Sequence, residues 1–125
     1  MNVVISNKVD MPIYEQIRHQ IRLAIIRDEI AAGDALPSIR SLAAELKISV
    51  ITTKRAYDDL EEEGFITTVQ GKGCFVLEKN TERIREHNLK EIEQHLIEAI
   101  KAAKLMRLKS NELVEMVKYL YKEEY

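Results

Sequence analysis

The sequence of 125 residues predicts a mainly α-helical protein that contains one small β-hairpin. Two short amphipathic segments are adjacent in residues 36–60, and two β-rich runs then flank a glycine-containing turn at residues 70–73. Two longer amphipathic segments follow residue 80. These patterns divide the chain into an N-terminal domain, residues 1–79, and a helical tail, residues 80–125.

Composition limits the class of protein before any motif is considered. The chain is 46% hydrophobic and 32% charged, which is ordinary for a soluble folded protein. It has no apolar run near the roughly 18 residues that span a membrane, and its N-terminus lacks the pattern of a signal peptide. A single cysteine excludes an internal disulfide framework. We therefore expect a cytoplasmic protein with no membrane partner.

The first 35 residues predict a short strand at residues 3–5 and a helix that begins with Pro12 as its first residue and ends near Asp28. One side of this helix is aliphatic and predicted to be buried: Ile13, Ile17, Ile21, Ala24 and Ile25. The arginines are expected on its solvated side: Arg18, Arg22 and Arg27.

Residues 36–60 contain two helix signals joined by a very short connection. Ser38 is a suitable N-cap for a first helix, and Ser49 caps a second one directly after Lys47 and Ile48. Apolar residues of the first helix fall at helical spacing: Ile39, Leu42, Ala43 and Leu46. The second helix has its own buried side: Thr53, Ala56, Tyr57 and Leu60. Helices this short and this closely joined must cross steeply, which predicts a helix-turn-helix whose second helix enters the DNA major groove.

The opposite face of the second helix is predicted to contact DNA. At about 100° per residue, Ile51, Arg55 and Asp58 lie opposite the buried side, with Thr52 and Lys54 on the flanks. Two cations and a hydroxyl can bind phosphates or base edges, and an exposed aliphatic group can contact a thymine methyl.

Two β-rich runs, residues 65–69 and 74–77, surround the turn at residues 70–73 and predict a hairpin. Gly64 stands where the preceding helix should end. A hairpin directly after a helix-turn-helix is a wing, and its tip would carry Gln70, Gly71 and Lys72. The tip either approaches a minor groove or phosphate, or is simply an exposed turn.

The charge distribution leaves two classes of partner open. The net charge of −2 argues mildly against nucleic acid, but residues 36–57 contain four cations against Glu45 alone. Residues 58–63 are acidic, and this run favours the alternative of a winged-helix protein-interaction module without specific DNA binding. Charge reversal at Lys54 would separate the two classes.

Nothing in the sequence assembles a catalytic site, and no cofactor or metal is predicted. His19, His87 and His95 are isolated, and we expect them on the surface. Cys74 lies in a predicted strand without an adjacent histidine, so it should be a small apolar filler.

The tail predicts a long helix, capped by Thr81 and ending near Met106, followed by a second helix capped by Ser110. Two such helices cannot bury their apolar faces alone, so a second copy of the chain should complete a four-helix interface with two-fold symmetry. The residues expected at this interface are Ile84, Ile92, Leu96, Ile100, Leu113, Val117 and Leu120. A small-molecule effector between the helices is left open, and its identity is unknown.

A set of spaced motifs then carries a resemblance to a known family. They are G-D-x-L-P-S-x-R at residues 33–40, L-A-x-x-L at 42–46, I-S-x-x-T at 48–52, A-Y-x-x-L at 56–60, G-F-I at 64–66 and G-K-G-x-F-V at 71–76. As a set they resemble the GntR family of bacterial winged-helix repressors. Two departures are Cys74, where threonine is common, and Asp28 with Ala32, which replace a frequent glycine and proline.

The resemblance implies a winged helix-turn-helix regulator that binds double-stranded operator DNA. It maps Arg40 and Lys54 to DNA-contacting positions. With the exposed helix face and the wing tip, the expected DNA-binding set is Ser38, Arg40, Ser49, Ile51, Thr52, Lys54, Arg55, Gln70, Gly71 and Lys72. The short tail resembles the YtrA-like subgroup, which implies a two-helix dimerisation tail and regulated genes that often encode membrane transporters. We expect a homodimeric repressor that reads an inverted repeat.

Overall fold

The computed structural model describes residues 1–123. In this range the helices are α1 (Ile13–Ile26), α2 (Ile39–Leu46), α3 (Val50–Glu62), α4 (Thr81–Leu105) and α5 (Ser110–Tyr121), and the strands are β1 (Ile66–Val69) and β2 (Gly73–Val76). The predicted fold class is confirmed: a winged helix-turn-helix is followed by a two-helix tail. None of the described helices is long and apolar enough to cross a membrane. The chain forms two compact units, Met1–Arg83 and Ile84–Tyr125.

Helix α1 supplies one wall of the N-terminal core. Its aliphatic side is buried as predicted, with Ile17, Ile21 and Ile25 almost inaccessible to solvent, and it packs against α3. Its ends differ slightly from the prediction. Pro12 is the N-cap and not the first helical residue, and the helix stops at Ile26 before Asp28, whose φ of 61° is left-handed. Aspartate tolerates this conformation better than most residues.

The prediction that the arginines of α1 are all solvated is wrong for two of them. Arg22 is only 4% exposed, and its Nη2 lies 3.2 Å from Nδ1 of His19. Arg18 forms an ion pair of 2.9 Å with Glu63, at the C-terminal end of α3. Glu63 belongs to another helix, so helical spacing alone does not reveal the partner of Arg18, whereas His19 lies three residues before Arg22 on the same side of α1. Arg27 is exposed as predicted.

The predicted strand at residues 3–5 is also wrong, because side chains of α1 replace the neighbouring strand. The Val4 N–H donates to Oε1 of Gln20 at 2.9 Å, and Nε2 of Gln20 donates to the Val4 carbonyl at 2.7 Å. Gln16 makes the same pair of bonds with the backbone of Ser6, each 2.9 Å. The segment is therefore extended and satisfied without forming a sheet.

The helix-turn-helix is built as the sequence predicts. The Oγ atoms of Ser38 and Ser49 accept the backbone N–H groups of Ser41 and Thr52, each at 3.0 Å, and so cap α2 and α3. Helix α2 ends at Leu46, because its C-cap Lys47 adopts a left-handed conformation with φ of 58°. The buried side of α3 is the predicted one: Thr53, Ala56, Tyr57 and Leu60.

The wing is an antiparallel hairpin in which Ile66 lies opposite Val76 and Val69 opposite Gly73. Gly71 and Gly73 have φ of 77° and 110°, which most side chains disfavour, so glycine is needed at both. The hairpin has a third neighbour that was not predicted from the sequence. Backbone bonds of 2.9 Å join Leu36 to Cys74 and Val76 to Asp34, so the segment before α2 lies alongside β2.

Tyr57 of α3 holds the segment that leads into α2. Its hydroxyl donates to the Pro37 carbonyl at 2.8 Å, directly before the cap of α2. Burial raises the pKa of Tyr57 above its usual value, because the ring is removed from water. Cys74 is buried in the same unit, consistent with its predicted role as a filler.

The first turn of α4 belongs to the N-terminal unit. The Arg83 guanidinium donates to the Glu62 carbonyl at the end of α3. It also packs against Gly64, where a side chain would bring its Cβ to within 3.0 Å of the guanidinium. Asn80, and not the predicted Thr81, caps α4, because the Asn80 side chain accepts the Arg83 N–H at 3.1 Å.

In the tail, Ser110 is the first residue of α5 and not its cap. The carboxylate of Glu112 accepts the Lys109 N–H at 3.2 Å, which places Lys109 at the N-cap. The capping interaction therefore comes from inside the helix, while the prediction placed it on the serine hydroxyl.

Replacing Tyr57 by phenylalanine tests the bond to Pro37. We expect Tyr57→Phe to lower the free energy of unfolding by about 1 kcal/mol, because the Pro37 carbonyl loses its donor while the ring still fills the core. Urea denaturation followed by circular dichroism measures the change. Tyr119→Phe, which removes a hydroxyl from an exposed ring, is the matched control and should change nothing. Equal stability of the two variants would contradict this role of Tyr57.

Candidate nucleic-acid interface

The outward face of α3 is exposed to solvent. Ile51 is 82% exposed, and Lys54 and Arg55 are exposed on the same side, while Thr52 is half-buried. An aliphatic side chain this exposed gains nothing from folding. The structure thus places this face where the sequence predicted it, turned away from the core.

The hydroxyls of Ser49 and Thr52, at the N-terminal end of α3, are hydrogen-bonded to each other so that the Thr52 hydroxyl can donate to a ligand. The Ser49 hydroxyl donates to Oγ1 of Thr52 at 2.7 Å while Ser49 Oγ accepts the Thr52 N–H. Since Oγ1 of Thr52 accepts from Ser49, its own proton remains available for an acceptor outside the protein. The capping role and a role in binding are therefore compatible for both residues.

Lys54 is held by an ion pair along the same helix. Its Nζ lies 2.7 Å from Oδ2 of Asp58, one turn further on, and both side chains are more than half exposed. The hydrogen bond to Asp58 raises the pKa of Lys54 above its ordinary value. Its charge is locally balanced by Asp58. Both residues were predicted on the accessible side of α3, but the ion pair between them was not predicted.

Arg55 is held by an aromatic ring. Its Cζ lies 3.7 Å from the centre of the Tyr14 ring on α1. Among residues 1–123, no carboxylate lies within ion-pair distance of Arg55. Tyr14 was not predicted to take part in the site, because no periodicity links the start of one helix to the middle of another.

The start of α2 carries two further predicted residues. Arg40 is exposed in the first turn, and the Ser38 hydroxyl, which caps α2, is exposed beside it. The N-terminus of a helix has a partial positive charge from its unpaired N–H groups. This end of α2 therefore favours an anion such as a phosphate.

The wing tip is solvent-exposed at Gln70, Gly71 and Lys72. The Lys72 N–H donates to the Val69 carbonyl at 2.9 Å and closes the turn. The carboxylate of Glu61 on α3 accepts the Thr68 N–H at 2.9 Å, so the hairpin is fastened to α3. The wing tip thus presents a cation from a firmly attached hairpin.

Three carboxylates of the acidic run have structural partners. Asp58 binds Lys54, Glu61 binds the wing, and Glu63 binds Arg18. A run of acidic residues that is mostly engaged within the fold gives weak support to an acidic surface for a protein partner.

Other side-chain clusters do not suggest chemistry. In residues 1–123 no group of three histidine, cysteine or carboxylate side chains could hold a metal ion. The prediction that all three histidines lie on the surface is wrong for His19 and His87, which are half-buried, while His95 is exposed. His19 contacts the buried Arg22, three residues further along α1.

The tail unit has an open apolar groove of about 400 Å³ between α4 and α5. Five of the predicted interface residues are 40–54% exposed: Ile92, Leu96, Ile100, Val117 and Leu120. The other two, Ile84 and Leu113, are half-buried. Within one described chain the two helices therefore leave much of their apolar surface uncovered.

Comparison with known proteins places this geometry in a family. Residues 13–76 match the bacterial regulatory proteins of the gntR family. The chain is 31% identical over 116 residues to the HTH-type transcriptional repressor YtrA of Bacillus subtilis, covering 93% of this chain and 89% of that one. A solved GntR family transcriptional regulator from Listeria monocytogenes is 31% identical, with a TM-score of 0.67 over 92% of this chain and 98% of that chain.

A second similar solved structure is the DNA-binding domain of AraR in complex with operator ORX1. It is 26% identical, has a TM-score of 0.53, and covers 61% of this chain and 95% of that chain. The fold, the accessible helix face and these similarities lead to one assignment. The chain belongs to the gntR family of bacterial regulatory proteins, as a YtrA-like member, and it is a DNA-binding transcription regulator.

Proposed function

We propose that the chain is a homodimeric repressor that binds an inverted-repeat operator, one half-site per protomer. Helix α3 enters the major groove and the wing contacts the flank. Residues 1–79 bind DNA, and residues 80–125 form the dimer. The regulator acts in the cytoplasm, and membrane transporter genes are its expected targets, by similarity to YtrA-like proteins.

The observation that carries this proposal is the exposed outward face of α3. Ile51, Thr52 and Lys54 offer an aliphatic group, a free hydroxyl proton and a cation within one turn of the same helix. These groups suit a thymine methyl, a base-edge acceptor and a phosphate. Other residues of the proposed surface would contact the DNA backbone: Ser38, Arg40, Ser49, Arg55, Gln70, Gly71 and Lys72.

The dimer is supported by the uncovered groove of the tail. Leu96 and Ile100 on α4 and Val117 on α5 line it, and a second copy of the same pair of helices would cover it. A two-fold dimer also matches the symmetry of an inverted repeat, since each protomer then presents the same helix to each half-site.

The direct test is an electrophoretic mobility shift with the DNA upstream of the protein's own gene. At low salt we expect a specific complex that unlabelled upstream DNA displaces and a random duplex of equal length does not. Retardation that both duplexes displace equally would contradict specific operator binding.

Charge reversal at Lys54 distinguishes DNA from a protein as the partner of α3. We expect Lys54→Glu to weaken binding to the upstream DNA about tenfold or more, because a phosphate contact is lost and a like charge is added. Lys101→Glu makes the same change of charge on an exposed lysine of the tail and should leave affinity nearly unchanged. Fluorescence anisotropy gives both affinities. Unchanged binding by Lys54→Glu would favour the protein-interaction alternative.

Removal of the Asp58 charge should have the opposite effect. We expect Asp58→Asn to strengthen binding about threefold, on upstream and random DNA alike, because Lys54 is released and repulsion of phosphates falls. Glu62→Gln, which neutralises an exposed carboxylate on the same helix, is the control. Weaker binding by Asp58→Asn would show that the carboxylate itself contacts the DNA.

An acidic residue in the tail groove should break the dimer. We expect Val117→Glu to halve the mass measured by sedimentation equilibrium, because the partner's apolar surface would have to cover a charge. Affinity for a two-half-site duplex should fall at least about tenfold as avidity is lost. Tyr119→Glu, two residues and about 200° further round α5, is the matched control. A dimeric Val117→Glu variant would contradict this interface.

A further inference from the structure

Tyr14 and Arg55 form the contact between α1 and the outward face of α3. The Arg55 Cζ is 3.7 Å from the centre of the Tyr14 ring, well within the roughly 6 Å at which a cation is attracted to a ring face. Arginine stacks on tyrosine through its planar guanidinium, so the ring covers one face of the group and leaves the N–H donors at its edge.

The helix that carries the Tyr14 ring is fixed in the N-terminal core. Tyr14 is the second residue of α1, and the buried Ile17 and Ile21 fix that helix in the core. One turn after Tyr14, Arg18 binds Glu63 at the far end of α3 with an N···O distance of 2.9 Å. Helix α1 is thus attached to α3 at two positions along its length. The backbone at Tyr14 therefore cannot shift away from α3 without disturbing the packing of α1.

The two outward cations are therefore held in different ways. Lys54 is paired with the Asp58 carboxylate, which balances its charge and competes with a phosphate for the ammonium. Arg55 rests on a neutral ring, so it keeps its positive charge and its donors. A side chain already held in place loses less conformational freedom when it binds, which favours affinity.

We propose that Tyr14 is a positioning residue, which holds the Arg55 guanidinium ready to bind a backbone phosphate of the DNA. A phosphate is favoured over a base because Arg55 lies one turn beyond Ile51, further from the N-terminal end of α3 that faces base edges. This inference rests on the proposed DNA-binding function, and it extends the binding surface to α1, outside the helix-turn-helix.

A double-mutant cycle on the full chain tests the coupling. Fluorescence anisotropy measures the affinity for a labelled upstream duplex and for a random duplex of the same length. We expect Tyr14→Leu to weaken binding about threefold and Arg55→Gln somewhat more. Tyr14→Phe should bind like the wild type, because stacking needs the ring and not the hydroxyl. In the Arg55→Gln background, Tyr14→Leu should have no further effect.

The phosphate contact has its own readout. We expect Arg55→Gln to weaken binding to both duplexes equally and to reduce the slope of log K against log salt concentration by about 0.9. A loss confined to duplexes with one particular base pair would overturn the phosphate assignment in favour of a base contact.

Other outcomes overturn the role of Tyr14. Equal effects of Tyr14→Leu with and without Arg55 would mean that the ring acts through folding, since a general loss of structure is additive. A Tyr14→Phe variant as weak as Tyr14→Leu would mean that the hydroxyl contacts DNA directly. If the wild type binds no DNA, the proposed function and this inference both fail. If it binds and the cycle is additive, only this inference fails.

Discussion

The burial of one side of α3 is the constraint on which the rest of the structure depends. Thr53, Ala56, Tyr57 and Leu60 are removed from water by α1 and α2, so the opposite side must face outward whatever residues it carries. The wing is fastened to the same helix through Glu61, and the start of α2 through Tyr57. Core packing thus decides the direction in which α3 presents its polar groups.

Charge on the outward face of α3 is arranged by neighbours more than by composition. The net charge of −2 suggests little affinity for DNA, yet much of the acidic run is engaged in contacts inside the fold. Of the two outward cations, one lies against a carboxylate and the other against a ring. This difference matters because an ion pair cancels a local field, whereas an aromatic ring leaves the field of the cation intact. Proteins of modest net charge can therefore present a locally positive surface.

The two units differ in how complete their cores are. The N-terminal unit buries the aliphatic side of α1, and even a cation such as Arg22, whereas the tail leaves its groove open. In such a regulator the DNA-binding unit has a complete hydrophobic core, and the tail has exposed apolar surface. The tail can therefore associate with a partner without any change in the DNA-binding unit. The uncovered apolar surface is the reason to propose a partner, and the repetition of the same surface in every copy is the reason to propose a dimer.

Local chemistry in the sequence determined the helices of the core, the serine caps of α2 and α3, the glycine turn of the wing and the outward side of α3. These features depend on spacing within one segment, which a sequence displays directly. The false strand at residues 3–5, the misplaced Arg18 and the missed Tyr14 share another cause: their partners come from other segments. Gln20, Glu63 and Arg55 are brought to them only by the packing of α1 on α3 and on the N-terminal segment. The tertiary structure alone decided these contacts. The spacing of residues along one segment predicts which side of that segment is buried, but it does not predict which other segment lies next to it.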